Sequence, residues 1–208
     1  AIALLSGVAV IVLLGVIDDK WGLDAPTKLA GQVLAAGVMA FQGIAVIWLP
    51  IGGTFVLDPI TSVLFTVLIV LVSINAINFV DGLDGLAAGI VAIAAGAFFA
   101  YSYLLSVELG FERATLATLV SALLVGMCLG FLPNNFFPAR IFMGDTGAMM
   151  LGLLLAASTI TLCGQVDPSA VADTSGEWFE VRNTTAGKTF DLRNLRLSSD
   201  DGTGNFTQ

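Results

Sequence analysis

Thr61–Gly85 reads TSVLFTVLIVLVSINAINFVDGLDG. Its first part, Thr61–Ile77, is an apolar run long enough to approach a bilayer crossing, which takes about 20 residues. Its second part sets two amides, Asn75 and Asn78, and two carboxylates, Asp81 and Asp84, at the end of that run. In a water-soluble chain this would be an ordinary polar turn. At the edge of a bilayer, grouped acids are costly and call for a function.

The rest of the chain extends the pattern. Of its 208 residues, 57% are hydrophobic and 12% charged, about half the charged fraction of a soluble domain. Five further apolar blocks have the length of a span: Ala1–Ile17, Leu29–Leu49, Leu86–Leu105, Thr115–Leu132 and Ala148–Cys163. The fold class expected is an all-α polytopic membrane protein of about six transmembrane helices. Gly and Ala within the blocks favour close helix packing in lipid. Trp21, Trp48, Tyr101 and Tyr103 fall near the block ends, as an interfacial aromatic belt places them. The net charge of -8 argues against nucleic acid as a partner and suits a protein that holds divalent cations. Cys128 and Cys163 lie in apolar surroundings without ligand spacing and read as packing residues. The opening AIALLSGVAV has no basic flank, unlike a signal peptide. It reads as a chain cut within a helix, so upstream spans are expected.

Helix parity orders the polar loops. Asp18 and Asp19 follow the first block, Asp81 and Asp84 the third, and Asp145 the fifth. All three acidic loops therefore belong on one side. Lys20, Lys28 and Arg140 share that side, against Arg113 on the other, so the positive-inside rule assigns the acidic loops to the cytoplasm. The segment IGGTFVLDP, Ile51–Pro59, has Gly-Gly before a short β-type run and predicts a small hairpin outside the membrane. Residues 1–163 thus read as a transmembrane unit. Residues 164–208 form a polar tail, expected on the extracytoplasmic side. GEWFEV, Gly176–Val181, alternates like a strand, and TFDLRNLRL, Thr189–Leu197, partly does.

Each acidic loop has a bland reading. Asp18-Asp19 could be a solvated helix end paired with Lys20. DGLDG could be an Asx-type turn. Asp145 and Thr146 suit an N-cap, and Arg140 a positive-inside anchor. The chemical reading starts from repulsion: adjacent carboxylates are relieved by a divalent cation or a basic substrate group. Asn78, Asp81 and Asp84 recur every three residues and would share one face of a helix; Gly82 and Gly85 favour a tight loop instead. Hard oxygen ligands of this kind suit Mg²⁺, which commonly bridges to phosphates. Five acids converging on one face of a small bundle favour a metal–phosphate site.

Three motifs carry a resemblance: Asp18-Asp19 in GVIDDKWGLDAPTKLAGQ, NAINFVDGLDGLAAG at Asn75–Gly89, and NNFFPARIFMGDTG at Asn134–Gly147. In order and loop position they resemble the polyprenyl-phosphate N-acetylhexosamine-1-phosphate transferases, in the branch that uses UDP-N-acetylglucosamine. The resemblance covers Ala1 to Cys163. It implies attack of a polyprenyl phosphate on the β-phosphorus of a UDP-sugar, release of UMP, and a requirement for Mg²⁺, or Mn²⁺ in its place. It implies a bacterial plasma-membrane enzyme that starts a cell-envelope polysaccharide. By motif position, Asp145 would be the principal metal ligand, with Asp18 and Asp19 at the metal and acceptor-phosphate side. Asn75, Asn78, Asp81 and Asp84 would position the nucleotide diphosphate. Asn135 would match a nucleotide-site Asn and Lys28 a family lysine; Arg140, read from the residues themselves, is a phosphate partner as the alternative to an anchor. The tail resembles the opening of a lamin-tail β-sandwich.

The chain also departs from that family, which has ten or eleven spans and a His-rich cytoplasmic loop; this sequence contains no His. The chain alone is therefore expected to be inactive, and Mg²⁺-dependent UMP release from it would overturn that expectation. Other classes fit less well. An intramembrane aspartyl protease needs GxGD where Phe142–Asp145 reads FMGD. A CDP-alcohol phosphotransferase needs an Ala-Arg soon after its first DG. A cation channel or transporter wants acids within spans, whereas these follow the apolar blocks. A membrane scaffold or cation-binding transport fragment without catalysis is the remaining alternative.

Overall fold

The computed structural model describes residues 2–50, 54–108 and 114–164. Among them six α-helices run in order: α1 (Ile2–Trp21), α2 (Ala25–Phe41), α3 (Pro59–Val80), α4 (Leu86–Tyr103), α5 (Ala114–Asn135) and α6 (Gly144–Thr159). Single π-helical turns, Leu104–Glu108 and Ile160–Gly164, continue α4 and α6. The all-α polytopic membrane class is therefore as expected, with five helices among the described residues long and apolar enough to cross a membrane. The tail from residue 165 onward, and the loop carrying Arg113, lie outside the described residues.

The second span needs correction. The apolar block Leu29–Leu49 is not one helix: α2 starts earlier, at Ala25, and stops at Phe41. The stop is set by Gly43, whose φ of +101° lies in the left-handed region that ends helices cheaply only at glycine. Gly43 N and Ile44 N then donate back to Ala40 O and Met39 O. The apolar residues that follow become strand β1 (Trp48–Pro50), which pairs antiparallel with β2 (Thr54–Val56), Trp48 opposite Val56. A hairpin is present as expected, but its first strand precedes the segment Ile51–Pro59. It is pinned to the start of α3, where Val46 N donates to Thr66 Oγ1 at 2.9 Å and Ser62 Oγ donates to Val46 O at 2.6 Å. Asp58 caps α3 by accepting from Ile60 N and Thr61 N. The Thr61 side-chain hydroxyl first, and then these backbone bonds, hold the Asp58 carboxyl below the usual carboxylate range. At 17 residues α2 is about 26 Å long, close to the bilayer's hydrocarbon thickness of about 30 Å. It runs antiparallel beside α1, tied at one end by Lys28 to Asp18 and at the other by Gln42 Nε2 to Ser6 Oγ, 2.8 Å.

Helix boundaries elsewhere move outward into the polar residues. Asp18 and Asp19 lie in the last turn of α1, Asn75 and Asn78 near the end of α3, Asn135 at the end of α5, and Asp145 in the first turn of α6. Apolar content marks where a helix leaves lipid, but backbone hydrogen bonding carries it a further turn.

α6 is the hub of the bundle. Gly152 brings its backbone against α3, where a Cβ would stand 2.5 Å from Ile74 Cα, and Gly15 brings α1 against Thr146. Such small-residue contacts let helix backbones approach in lipid, where no hydrophobic force drives association. Around them Ile11, Met39, Ile74, Met149 and Leu153 are fully buried. Gly152→Val is expected to destabilise the bundle by about 1–3 kcal/mol or to separate α3 from α6, as overpacking does. Thermal unfolding in detergent, followed by near-ultraviolet circular dichroism, measures it.

Candidate active site

The odd-numbered helices end, and the even-numbered ones begin, at a common end of the bundle. Parity predicts this, and the contacts between α1, α2, α3 and α6 show it. At its centre is the Lys28 ammonium on the first turn of α2. Lys28 Nζ is 2.7 Å from Asp18 Oδ2 and 2.8 Å from Asp145 Oδ1. Asn78 Nδ2 donates to the same Asp145 Oδ1. Asp18 is buried, its Oδ1 accepting from Leu23 N at 2.7 Å. Its Oδ2 accepts no well-angled hydrogen bond and rests on the ammonium's charge. Four residues far apart in sequence thus converge in one cluster.

Asp19 faces the other way. Its carboxylate accepts from Asp145 N at 2.8 Å, Thr146 N at 3.1 Å and Thr146 Oγ1 at 2.5 Å. It serves as the N-cap of α6 in trans, since α6 has no side-chain cap of its own. An acid satisfies free amides and the positive end of the helix dipole together. The carboxylate also lies over Gly144, at φ +67°, where a Cβ would stand 3.1 Å from Asp19 Oδ1. Of the two adjacent acids, one holds Lys28 and the other holds the helix that carries Asp145.

Asp81 caps the end of α3 and is half-buried. Burial, and then the nearby charge of Asp145, push its carboxyl above the usual range. Asp84 and Asn135 join two loops. Asp84 Oδ2 accepts from Ala139 N at 3.0 Å. Asn135, buried, accepts from Gly85 N through Oδ1 and donates through Nδ2 to Ile141 O, each at 3.0 Å. Gly85, at φ +73°, can turn there without strain. Asn135→Ala is expected to free both loops at a cost of about 1–3 kcal/mol, as for other lost buried hydrogen bonds. Amide exchange at residues 81–85 and 139–143 would rise ahead of exchange in the helices.

Arg140 is exposed on the loop so clamped and is held there by its backbone, Arg140 N donating to Asn134 O at 2.8 Å. Lys20 stacks over the Trp21 ring, 4.6 Å from its centroid, rather than pairing with Asp18 or Asp19. Asn75 lies a turn below Asn78, its Nδ2 donating to Leu71 O and to Gln32 Oε1. The sequence reading missed Gln32. A glutamine within an apolar block, four residues after Lys28 and so on the same helix face, was the signal for it.

A family-wide sequence model described as "Glycosyl transferase family 4" matches residues 1–163, which include every residue of this cluster. The chain belongs to glycosyl transferase family 4. Among curated members of the family, it is 47% identical over 173 residues to decaprenyl-phosphate N-acetylglucosaminephosphotransferase of Mycobacterium tuberculosis, covering 81% of this chain and 43% of that protein. The corresponding protein of Mycobacterium leprae is 49% identical, with 81% and 44% covered. A phospho-N-acetylmuramoyl-pentapeptide-transferase of Desulforudis audaxviator is 38% identical over 172 residues, with 71% and 48% covered. The chain spans less than half the length of these glycosyl transferase family 4 members. Over matches of about 170 residues, the identity is higher to the N-acetylglucosamine proteins, in agreement with the branch to which GVIDDKWGLDAPTKLAGQ pointed.

Proposed function

We propose that residues 1–163 contribute the acidic site of an enzyme that transfers N-acetylglucosamine-1-phosphate from a UDP-sugar to polyprenyl phosphate, releasing UMP. The product would start a cell-envelope polysaccharide. The observation that carries this reading is the Lys28 ammonium held between Asp18 and Asp145, with Asn78 fixing the same Asp145 oxygen. Kinship with the decaprenyl-phosphate proteins supports the substrate classes. Lys20, Lys28 and Arg140 at the acidic end favour placing that end in the cytoplasm of a bacterial plasma membrane.

The donor set suits Mg²⁺ in an open site. Among the described residues no three Asp, Glu, His or Cys side chains form a closed cage. Mg²⁺ does not require one: it commonly takes one or two carboxylates and completes its shell with water and substrate phosphates. Asp145 would fit that mode, with Asp81 as its neighbour at the end of α3; burial first, and then Asp145's charge, disfavours ionisation of Asp81, and a cation beside them would offset both. Asp18 is occupied by Lys28 and Leu23 N, and Asp19 by three donors on α6, so both serve the metal at one remove. When bound, Mg²⁺ would neutralise charge on the diphosphate.

The chain's own groups do the rest. An acceptor phosphate is already mostly ionised near neutral pH, its second pKa being about 6, so a strong base is not required. An oxygen of that phosphate forms the new bond to the β-phosphorus. The bond from that phosphorus to the oxygen bridging it to the α-phosphorus breaks, and UMP leaves with the electron pair. An ammonium has three donors; Lys28 shares its charge between Asp18 and Asp145, and an N–H turned away from them would reach a phosphate oxygen. Arg140 is exposed beside the Asp84 loop for a second phosphate contact. Holding two anions together is the main task, and positioning with charge accomplishes it.

Grafting residues 1–163 into the matching segment of the Mycobacterium tuberculosis protein tests the proposal. Mg²⁺-dependent UMP release from UDP-N-acetylglucosamine with decaprenyl phosphate is expected. A graft that inserts and folds but releases no UMP overturns it in favour of a non-catalytic membrane scaffold.

A further inference from the structure

Beneath the charged cluster lies a second, neutral layer. Lys28, Asn78 and Asp145 each have a polar or sulfur-bearing residue one helical turn deeper: Gln32 on α2, Asn75 on α3 and Met149 on α6. These three also touch. Gln32 Oε1 accepts from Asn75 Nδ2 at 2.7 Å, and Gln32 Nε2 lies 3.5 Å from Met149 Sδ. Gln32 is 1% exposed and Met149 fully buried. The same three helices therefore meet twice, once through charges at the rim and once through amides and a thioether below.

A buried amide in an apolar bundle is costly unless it is satisfied. Leucine or methionine would fill the same space without that cost, so packing alone does not account for Gln32. Its carbonyl has a good partner, whereas among the described residues its NH₂ meets only a thioether, a weak acceptor. The one strong bond, to Asn75, fixes the rotation of α3 against α2. The periodicity of the helices carries that rotation upward by one turn: residues 28 and 32 share a face of α2, and 75 and 78 share a face of α3. Sliding or turning either helix would take Lys28 and Asn78 off the single Asp145 oxygen they now share.

We infer that Gln32 and Asn75 form a positioning pair, a neutral latch that sets the register of α2 and α3 so that Lys28 and Asn78 reach Asp145 together. Asn75 then acts through its neighbours and not by touching substrate. The consequence for transfer rests on the proposed function; the latch itself is a matter of geometry and is tested without turnover.

The test uses the 208-residue chain in lipid nanodiscs and an amine-acetylating reagent, with labelling read residue by residue by mass spectrometry. Lys28 is shielded by its ion pairs, and Lys20, stacked on Trp21, is the internal reference. Gln32→Leu is expected to raise Lys28 labelling relative to Lys20 about tenfold, as loss of a buried hydrogen bond implies, with helix content unchanged. Asn75→Leu, at an exposed position that tolerates the change, is expected to do the same and guards against misfolding of the Gln32 variant. The exchange Gln32→Asn with Asn75→Gln moves one methylene across the pair and is expected to return labelling toward the starting value. A folded Asn75→Leu protein with unchanged Lys28 labelling overturns the inference. So does an exchange variant labelled as strongly as the single ones. Neither result bears on whether the grafted enzyme releases UMP, so the two proposals fail separately.

Discussion

Asp145→Asn is expected to lower UMP release by the grafted enzyme about a thousandfold or more, the several kcal/mol that loss of a charged ligand removes if Asp145 holds the metal as proposed. The substitution is conservative in shape. The new side chain still offers an oxygen to Asn78 and Lys28, and α6 keeps its cap, because Asp19 binds backbone amides that do not change. What disappears is the charge on the group proposed to meet Mg²⁺. Asp18→Asn supplies the contrast. Lys28 would keep its contact with Asp145, and turnover is expected to remain near normal, which would exclude Asp18 as a general base. Initial rates at saturating substrate, measured across a Mg²⁺ series, check both. If high Mg²⁺ restored the rate of the Asp145→Asn enzyme, the defect would lie in metal affinity.

Lys28→Met is expected to cost the fold about 3–5 kcal/mol, as breaking a buried pair from one side does. The Asp18 side chain is 5% exposed, and without the ammonium its charge has no cation beside it. The stem of methionine replaces most of the lysine's packing, so the loss is one of charge. Adding Asp18→Asn to Lys28→Met removes the orphaned charge and is expected to recover most of the stability. It is not expected to recover transfer, because the donor proposed for the phosphate is still missing. Thermal unfolding in detergent and UMP release on the three variants separate the structural task of Lys28 from its chemical one. A Lys28→Met protein as stable as the parent would show that Asp18 takes up a proton at little cost.

How much of this was legible in the sequence follows from the range over which each signal acts. Long apolar blocks announce spans because a bilayer imposes length, and five blocks match helices with ends displaced by only a few residues. The sixth misled because Ile44–Leu49 is as apolar as a helix, while what ends α2 is a single glycine conformation. Parity predicted the common acidic end correctly, since it needs only the count of crossings. Division of labour within the site was hidden. Asp18 and Asp19 are chemically identical neighbours, and only their rotation about α1, about 100° apart, sends one to Lys28 and the other to α6. The joining of loops by Asp84 and Asn135 depends on contacts 50 residues or more apart in the chain. Gln32 was readable as a polar residue in an apolar block, but its partner was not.

The tie between Asp19 and the start of α6 spans 126 residues and has a consequence for biogenesis. Helices enter a membrane in order of synthesis, and α1 through α5 can be inserted while Asp145 is still unmade. Until then Lys28 has Asp18 alone, Asp19 has no amides to receive, and the face of α3 that bears Asn78 lacks its acid. The acidic centre is therefore completed by the last described helix to arrive, in a single docking event that satisfies Lys28, Asp19 and Asn78 together. Chains that end before Gly144 are expected to insert yet lack the acidic centre, and chains that carry α6 clear of the ribosome are expected to gain it as a unit.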